Sequence, residues 1–315
     1  MDGNVVVITA CDQRYFPLCL DLLMSLQKAC GGTLPRVRVL DVGMTPASAA
    51  ALANIVEKVI APGWDVGGDM DLPLWYRAMT ARPFLPRYAG DAEMILWLDC
   101  DLWVQRMAPI QSLVDAARDG AIAIVEERYG GGFKAEARPH DGGKGVFSTS
   151  ESQVKANMRQ GYQSCFGAEA ADAFGDLPCL NDGGFALLAA SPSWAVWQSL
   201  YAPALARHYH PTVEQLALNV GIRRGQVPVS IQPQEANFTC HLELPWYDPS
   251  SDVFTFPGDA ARVLGAIHLC DAKHFPLLPI PHFPDGKARP MPLDYRAVTT
   301  FIQDKACTRP SKVKP

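Results

Sequence analysis

Short runs of β-branched and other apolar residues alternate with amphipathic segments over the first 125 residues. The apolar runs predict buried strands at Val5–Thr9, Arg36–Val42, Lys58–Ala61, Met94–Leu98 and Ala121–Val125. The segments between them predict helices at Phe16–Ala29, Pro46–Glu57, Trp75–Tyr88 and Pro109–Arg118. Pro83 and Pro86 must bend or end the third of these helices. Such alternation is typical of a parallel sheet covered by helices, so we predict an α/β protein.

The pattern loosens after residue 125. From Glu126 to about Ser164 the sequence is polar and rich in glycine, which predicts a long mobile insertion. Further elements are predicted at Gly184–Ala190, Trp194–His208, Thr212–Arg223 and Ala266–Leu269, with a proline-rich stretch at Val227–Pro249 and an amphipathic segment at Leu293–Ile302. Because no linker interrupts the pattern, we predict one domain over residues 1–290, with an insertion near 126–164, followed by a C-terminal helix and tail at 291–315.

Composition narrows the classes of function. The chain has 315 residues, a formal net charge of −5 and no Lys/Arg run, which argues against nucleic acid as a partner. No apolar run reaches the length of a membrane span, the N-terminus lacks a basic segment, and the nine cysteines form no CxxC pair. We therefore expect a cytoplasmic protein, with at most a weak peripheral membrane contact through the basic tail Lys305–Pro315.

An acidic pair follows the most apolar predicted strand. Asp99 and Asp101 flank Cys100 at a strand's carboxyl end, which is where open α/β sheets bind ligands. In extended backbone the two carboxylates point to the same side and can hold a divalent cation and, through it, a diphosphate. The alternative is a pair of loop acids that cap the next segment. The same spacing at Asp69 and Asp71 follows no strand and predicts a solvated turn.

A second cluster lies near the end of the predicted domain. His268 follows a strand-like run and could complete a metal site begun by two carboxylates. Lys273 could reach the same diphosphate as a point charge. Alone, a histidine and a lysine at this spacing are more often ordinary surface residues, so their interpretation depends on the acidic pair.

Four segments, in this order, resemble those of family 8-type nucleotide-sugar glycosyltransferases of the GT-A fold. They are Val5–Asp12 with Tyr15, Ala81–Pro86 leading into Leu96–Asp101, Leu180–Leu188 with Trp194, and Glu214–Asn219. His268 and Lys273 are similar to the family's closing His-x-x-Gly-x-Lys pattern, although Asp271 replaces the glycine. The resemblance implies a GT-A-type, Rossmann-like mixed sheet, mostly parallel and flanked by helices.

The resemblance also implies a role for each matched residue. Mn²⁺ or Mg²⁺ would be bound by Asp99, Asp101 and His268. The UDP part of the donor would contact Thr9, Ala10, Asp12, Tyr15, Asp99, Cys100, Asp101 and Lys273. The catalytic residues around the donor sugar would be Arg82, Asn181, Glu214 and Gln215, with Arg77 as an alternative to Arg82.

Together these expectations describe a metal-dependent transferase that moves a hexose from a UDP-sugar to a hydroxyl group of a glycan or another acceptor. The resemblance implies retention at the anomeric carbon, with Gln215 or Glu214 beneath the sugar. An inverting enzyme would need a general base, for which Asp182, Glu214 and Asp248 are candidates. Two other functions stay open: a nucleotide-sugar or glycan-binding protein without turnover, and a sugar-nucleotide pyrophosphorylase, although Ala10–Tyr15 lacks the glycine-rich loop of the latter.

Overall fold

The computed structural model describes residues 4–67, 71–127, 150–241 and 243–300, and the backbone of two short strands at 134–137 and 145–148. The strands are β1 (Val5–Cys11), β2 (Val37–Asp41), β3 (Lys58–Ile60), β4 (Met94–Leu98), β5 (Leu102–Val104), β6 (Ile122–Glu126), β7 (Lys134–Ala137), β8 (Gly145–Ser148), β9 (Leu180–Leu188), β10 (Val229–Gln232), β11 (Phe238–Thr239), β12 (Trp246–Asp248), β13 (Val253–Phe256), β14 (Asp259–Val263), β15 (Ala266–His268), β16 (Leu278–His282) and β17 (Lys287–Met291). The helices are α1 (Phe16–Ala29), α2 (Pro46–Ala53), α3 (Arg77–Ala81), α4 (Met107–Ala116), α5 (Glu151–Phe166), α6 (Ala168–Phe174), α7 (Ser193–Arg207) and α8 (Val213–Arg223). None of the helices in these ranges is long and apolar enough to cross a membrane.

A seven-stranded sheet forms the centre of the fold, in the order β10-β6-β9-β4-β1-β2-β3. All neighbouring pairs are parallel except that β9 runs antiparallel to both β4 and β6. The sheet is therefore mixed and mostly parallel, which confirms the predicted fold class. Because β4 is the middle strand, the residues that follow it emerge at the centre of the sheet's carboxyl edge.

The central strands β1, β4, β6 and β9 are buried on both faces because helices cover each side of the sheet. Val6 and Ile8 of β1 belong to the core that contains residues of α7 and α8, whereas Val5 and Val7 belong to the core that contains residues of α1 and α4. Successive strand side chains thus enter two different apolar layers, which explains the continuous apolar runs in the sequence.

Most elements predicted for the first half of the chain are present. α1 and β4 have the predicted bounds, but α2 ends at Ala53 and the third predicted helix is divided. After α3, residues 82–87 form a 3-10 helix, because Pro83 and Pro86 have no amide hydrogen to donate. β9 begins at Leu180 rather than at Gly184, so the start of this strand reaches the site described below.

The second half differs more from the prediction. The stretch near 126–164 is not irregular throughout, because β7 and β8 pair within it and α5 already begins at Glu151, capped by the Ser150 hydroxyl. A second sheet, in the order β14-β13-β12-β16-β17, occupies residues for which no strand was predicted. In β16 the buried residues Leu278 and Ile280 alternate with half-buried prolines, and prolines conceal a strand pattern in sequence because they are rare in sheets.

Candidate active site

The acidic pair lies in a turn between β4 and β5. The Asp99 amide donates to the Gly183 carbonyl at 2.7 Å, and the Leu102 amide donates to the Asp99 carbonyl at 3.1 Å, so both ends of the turn are fixed. The Asp101 residue is 7% exposed, and the Asp99 side chain is 25% exposed. The structure thus places both acids just beyond the carboxyl end of the central strand.

A small three-stranded sheet brings His268 to this turn. β15 runs antiparallel to β5 with His268 opposite Leu102, and the Leu269 amide donates to the Asp101 carbonyl at 3.0 Å. As a result, His268 Nε2 lies 3.3 Å from Asp101 Oδ1 and 3.8 Å from Asp99 Oδ2. The three possible ligand atoms lie within 4.8 Å of one another, and we call Asp99, Asp101 and His268 the metal triad.

The metal triad fits a divalent cation in chemistry and in space. Two carboxylate oxygens and one imidazole nitrogen suit ions such as Mn²⁺ or Mg²⁺. Gly183 leaves room for the groups to converge, because a Cβ there would lie 2.3 Å from His268 Cε1 and 2.7 Å from Asp99 Oδ2. A side chain at position 183 is therefore incompatible with this arrangement.

Lys273 lies beside the metal triad. Its Nζ donates to Asp101 Oδ2 at 2.7 Å and lies 5.0 Å from the centre of the Tyr15 ring. Burial opposes the charge of Lys273, but the Asp101 carboxylate outweighs burial and raises the pKa of Lys273. Burial would likewise raise the pKa of Asp101, but Lys273 and His268 outweigh it and lower that pKa. Both groups are therefore charged at neutral pH.

The departure of this sequence from the family pattern at Asp271 has a local explanation. Residues 270–274 form a 3-10 helix, and the left-handed residue is Cys270, with φ of 47°. The tight turn is thus made one residue before Asp271, which does not need the conformational freedom of glycine.

A cavity of about 340 Å³ opens at the carboxyl ends of β1, β2 and β4. Eight predicted site residues line it: Ala10, Asp12, Tyr15, Arg82, Asp99, Cys100, Asp101 and Lys273. The predicted residues outside the lining are Thr9, Asn181, Glu214, Gln215 and His268. The Thr9 side chain is fully buried, so at this strand end only its neighbour Ala10 reaches the cavity. Asp12 Oδ1 accepts a hydrogen bond from the Tyr15 amide at 2.8 Å, which fixes the start of α1.

Arg82 forms a second group of charges next to the metal triad. Its Nη1 lies 2.8 Å from Asp182 Oδ1 and 3.0 Å from Glu214 Oε1, and we call Arg82, Asp182 and Glu214 the arginine cluster. Arg82 Nη2 donates to Asp99 Oδ1 at 2.7 Å, so the two groups meet at Asp99. The alternative residue, Arg77, instead lies over the Trp64 ring at 5.1 Å, so Arg82 is the arginine that contacts the acids.

The arginine cluster contains more acid than its single cation neutralises. Burial raises the pKa of Asp182 to about 6, although Arg82 attracts its charge. Burial and the nearby Asp182 raise the pKa of Glu214 well above its usual range, although Arg82 opposes this rise. Asp182 Oδ2 and Glu214 Oε2 are buried without a hydrogen-bond partner among the described residues, so one oxygen of each acid is left unsatisfied.

The other predicted catalytic residues lie on β9 and α8. Asn181 Oδ1 accepts a hydrogen bond from the Gly183 amide at 3.0 Å, and Gln215 Nε2 lies 3.0 Å from Cys179 Sγ. Asn219 holds both the amide and the carbonyl of Leu180, at 2.8 and 2.9 Å. Hydrogen bonds from α8 thus fix the strand that carries Asn181 and Asp182.

Three polar residues near the site were not predicted from the sequence: the buried Glu127 and Asn237, and the half-buried His241. Asn237 connects Asn181 to His268, and in the sequence it stands out only as the start of a formal glycosylation sequon, which indicates different chemistry. Glu127 lies 3.6 Å from His241, whose pKa burial would lower but Glu127 raises to about 11. Of the cavity lining, Arg14, Val42, Trp75, Ala78, Met79 and Trp97 were also not predicted.

Some predictions fall elsewhere in the molecule. Asp248, considered as a general base, lies in β12 of the second sheet, where it accepts hydrogen bonds from Ser250 and Ser251. It does not line the cavity, so the structure does not support that role. Asp69 and the basic tail Lys305–Pro315 lie outside the described residues.

Comparisons with known proteins agree with this geometry at the level of the fold. No protein-family model and no curated protein matches the sequence. The galactosyltransferase LgtC, solved in complex with donor and acceptor sugar analogs, matches with a TM-score of 0.54 at 14% identity over 98% of each chain. An active-site mutant of LgtC matches with a TM-score of 0.51 at 15% identity, again over 98% of each chain. The protein thus has a GT-A fold like that of LgtC, which agrees with the fold that the sequence resemblance implied.

Proposed function

We propose that this protein is a metal-dependent glycosyltransferase that moves a hexose from a UDP-sugar to a hydroxyl group of an acceptor such as a glycan. One observation carries the proposal: in a GT-A fold, the two carboxylates of the metal triad open on a cavity that also contains Tyr15 and Lys273. The cavity volume, about 340 Å³, lies in the range of roughly 300–1,000 Å³ that is usual for small-molecule sites.

Residues on the nucleotide side of the cavity would have three roles: they would bind the metal ion, contact the diphosphate and enclose the uridine. Asp99, Asp101 and His268 would hold Mn²⁺ or Mg²⁺, and the bound cation supplies neutralisation of the charge that develops on the leaving diphosphate. Lys273 would donate to the same diphosphate, because its ammonium is held at this edge by Asp101. The Tyr15 ring and the Ala10 backbone would enclose the uridine.

The sugar side of the site would be formed by the arginine cluster with Asn181 and Gln215. Asp182 Oδ2 and Glu214 Oε2 have no hydrogen-bond partner among the described residues, and carboxyl groups form hydrogen bonds with hydroxyl groups such as those of a hexose. Arg82 keeps Asp99 in place from this side. LgtC, which shares the fold, was solved with donor and acceptor sugar analogs, and this supports the same class of substrate here.

Retention at the anomeric carbon is the stereochemical outcome that we propose. Of the three acids considered as general bases, Asp182 and Glu214 are bound to Arg82, and Asp248 lies outside the cavity lining. An inverting enzyme needs a general base near the acceptor. None of these three acids is among the described residues that line the cavity. The leaving phosphate would instead accept the proton of the acceptor hydroxyl.

The first experiment is thermal unfolding with UDP, GDP, CDP or ADP, each with and without Mn²⁺. A ligand at 100 times its Kd stabilises the fold by about 2.7 kcal/mol, which is measurable as a melting shift. We expect a shift that requires both UDP and Mn²⁺, disappears in Asp101→Ala and persists in Asp115→Ala, which removes an exposed carboxylate of α4. A shift that is absent, or equal for all four nucleotides, would contradict the proposed donor.

Turnover and stereochemistry need a second experiment. Release of UDP from a panel of UDP-hexoses, with Mn²⁺ and simple glycoside acceptors, tests transfer, and proton NMR of the first product gives its anomeric configuration. We expect an α-linked product from an α-linked donor. Persistent UDP-sugar binding with no release of UDP would favour a binding protein, and a β-linked product would exclude retention.

A further inference from the structure

One side of the His268 ring faces the other two members of the metal triad, Asp99 and Asp101, and the other side ends a chain of buried hydrogen bonds. His268 Nδ1 lies 3.1 Å from Asn237 Oδ1, and Asn237 Nδ2 donates to Asn181 Oδ1 at 2.9 Å. Asn181 Nδ2 in turn donates to Glu127 Oε1 at 2.7 Å. All four residues are at most 8% exposed, so water does not compete for these bonds. We call Glu127, Asn181 and Asn237 the amide chain.

The orientation of each amide in this chain follows from groups whose roles are fixed. The atom of Asn181 that faces the Gly183 amide, at 3.0 Å, must be the oxygen, because a backbone N–H can only donate. The other atom faces the Glu127 carboxylate and must be the nitrogen. The Asn237 atom next to the Asn181 oxygen must therefore be a nitrogen, which leaves the Asn237 oxygen facing His268.

The same reasoning fixes the tautomer of His268. An amide oxygen can only accept, so Nδ1 must carry a hydrogen. In a neutral imidazole the other nitrogen, Nε2, then has a free lone pair, and Nε2 is the atom that faces Asp99 and Asp101. A metal ligand needs this lone pair, whereas the opposite tautomer would turn a hydrogen toward the cation.

We propose that Asn237 is a positioning residue for the metal site: it accepts the Nδ1 hydrogen of His268 and thereby holds Nε2 toward the cation. This inference rests on the proposed function of the metal triad. Groups that orient metal-ligating histidines from behind are commonly carboxylates or carbonyls, and the Asn237 oxygen takes that place here.

The packing around Asn237 supports a fixed orientation. Asn237 is 1% exposed, and the backbone passes so closely at Gly184 that a Cβ there would lie 3.0 Å from Asn237 Cγ. At the far end of the amide chain, burial would raise the pKa of Glu127, but His241 outweighs burial and lowers that pKa. Glu127 therefore remains an acceptor, and the chain keeps one direction from the carboxylate to the ring.

The test is Mn²⁺ binding to the full chain without nucleotide, measured by electron paramagnetic resonance. Removing a group that orients a metal-ligating histidine typically weakens metal binding by about 10- to 100-fold, and we expect this loss in Asn237→Leu. Asn237→Asp keeps an acceptor for Nδ1 but loses the donation to Asn181. We expect it to melt at a lower temperature while binding Mn²⁺ at least as tightly as the wild type.

The matched control is Gln105→Leu. The half-buried Gln105 side chain has three hydrogen bonds, to the backbone of Phe254 and Leu264, but it does not contact the metal triad or the amide chain. We expect this variant to lose stability with unchanged Mn²⁺ affinity. Equal weakening of Mn²⁺ binding in Gln105→Leu and Asn237→Leu would show that Asn237 acts only through stability, and would overturn the inference.

Two other results would also overturn it: wild-type affinity in Asn237→Leu, or a loss in Asn237→Asp as large as in Asn237→Leu. Each leaves the proposed function intact, because the wild type still binds Mn²⁺. If the wild type binds no Mn²⁺, both the proposed metal-binding role of the triad and this inference would be contradicted. Nitrogen-15 NMR with Mg²⁺ gives a second readout, in which we expect His268 to be protonated at Nδ1 in the wild type and not held in that tautomer in Asn237→Leu.

Discussion

The metal triad and the arginine cluster are two buried groups of charges at one edge of the sheet, and they differ in how their acids are neutralised. In the arginine cluster, Asp182 and Glu214 surround a guanidinium that the chain itself supplies, and all three residues are at most 3% exposed. In the metal triad, two carboxylates and an imidazole converge on a space that opens to the cavity. Burying a charge costs several kcal/mol unless it is paired. Both groups have cationic partners from the chain, since Lys273 pairs with Asp101 and Arg82 with Asp99, but only the metal triad opens to the cavity, where the proposed cation would enter.

Asp99 connects the two groups, because one of its carboxylate oxygens faces the arginine cluster and the other faces His268. Its Oδ1 accepts from Arg82 and from the Trp97 indole at 2.7 and 2.8 Å, while Oδ2 faces His268. The arginine cluster thereby fixes the position of one member of the metal triad. Under the proposed function, the arginine cluster would stabilise the fold and form the sugar side of the site, whereas the metal triad would bind the cation. The following predictions separate these contributions.

The largest effect is expected for Arg82→Met, which keeps the length of the side chain but removes its charge. Three acids then lose their common partner, and breaking a buried ion pair in this way costs about 3–5 kcal/mol. The free energy of unfolding in urea measures the loss. As a control, Arg159→Ala removes a half-exposed arginine that pairs with Asp172 and Asp176, and should cost at most about 1 kcal/mol. Equal losses in the two variants would remove the distinction between the clusters.

The next effect concerns ligand binding rather than stability. In Lys273→Met the ammonium next to Asp101 is lost, and a hydrogen bond to a charged group contributes about 1.5–3 kcal/mol, or roughly a 10- to 100-fold change in Kd. Titration calorimetry of UDP in the presence of Mn²⁺ should show this weakening. Lys287→Met, at an exposed position of β17, should leave Kd unchanged. Unaltered UDP binding in Lys273→Met would contradict a contact with the diphosphate.

Gly183→Ala adds one carbon next to the metal triad and tests whether metal binding needs the close approach of its three side chains. Its Cβ would lie 2.3 Å from His268 Cε1, and overpacking of this kind costs about 1–3 kcal/mol. We expect a lower melting temperature together with a loss of Mn²⁺ binding. Gly63→Ala has nothing within 4 Å of the added carbon and serves as the control. Retention of full Mn²⁺ affinity would mean that the triad tolerates displacement.

The smallest expected effect is a change in how the free energy of unfolding depends on pH. It is expected in Glu214→Gln, measured without metal or nucleotide. Because the folded-state pKa of Glu214 is raised, its contribution to stability is complete below the unfolded-state value and is lost as pH rises through the folded-state pKa. The variant should therefore gain stability relative to the wild type from about pH 5 upward. Urea unfolding at several pH values measures this, with the exposed Glu169→Gln as control. A difference that does not change with pH would indicate that Glu214 is ionised.

The sequence by itself determined the central part of the fold. β4 and α1 were predicted with their observed bounds, because a strand buried on both faces and a helix with one apolar side leave local patterns that need no partner to be recognised. The same holds for the acidic pair: Asp99 and Asp101 directly follow the most apolar strand, so strand position alone places them at a ligand-binding edge.

Only the tertiary structure decided which distant residues complete the site. Arg82 was chosen over Arg77 by its ion pairs, and Asn237 reaches His268 through a contact between residues 31 positions apart in the chain. The five-stranded sheet was missed because prolines in β16 and short strands carry no clear period. Local patterns report which face of an element is buried, whereas side chains that meet across strands depend on register and long-range packing, which a single sequence does not contain.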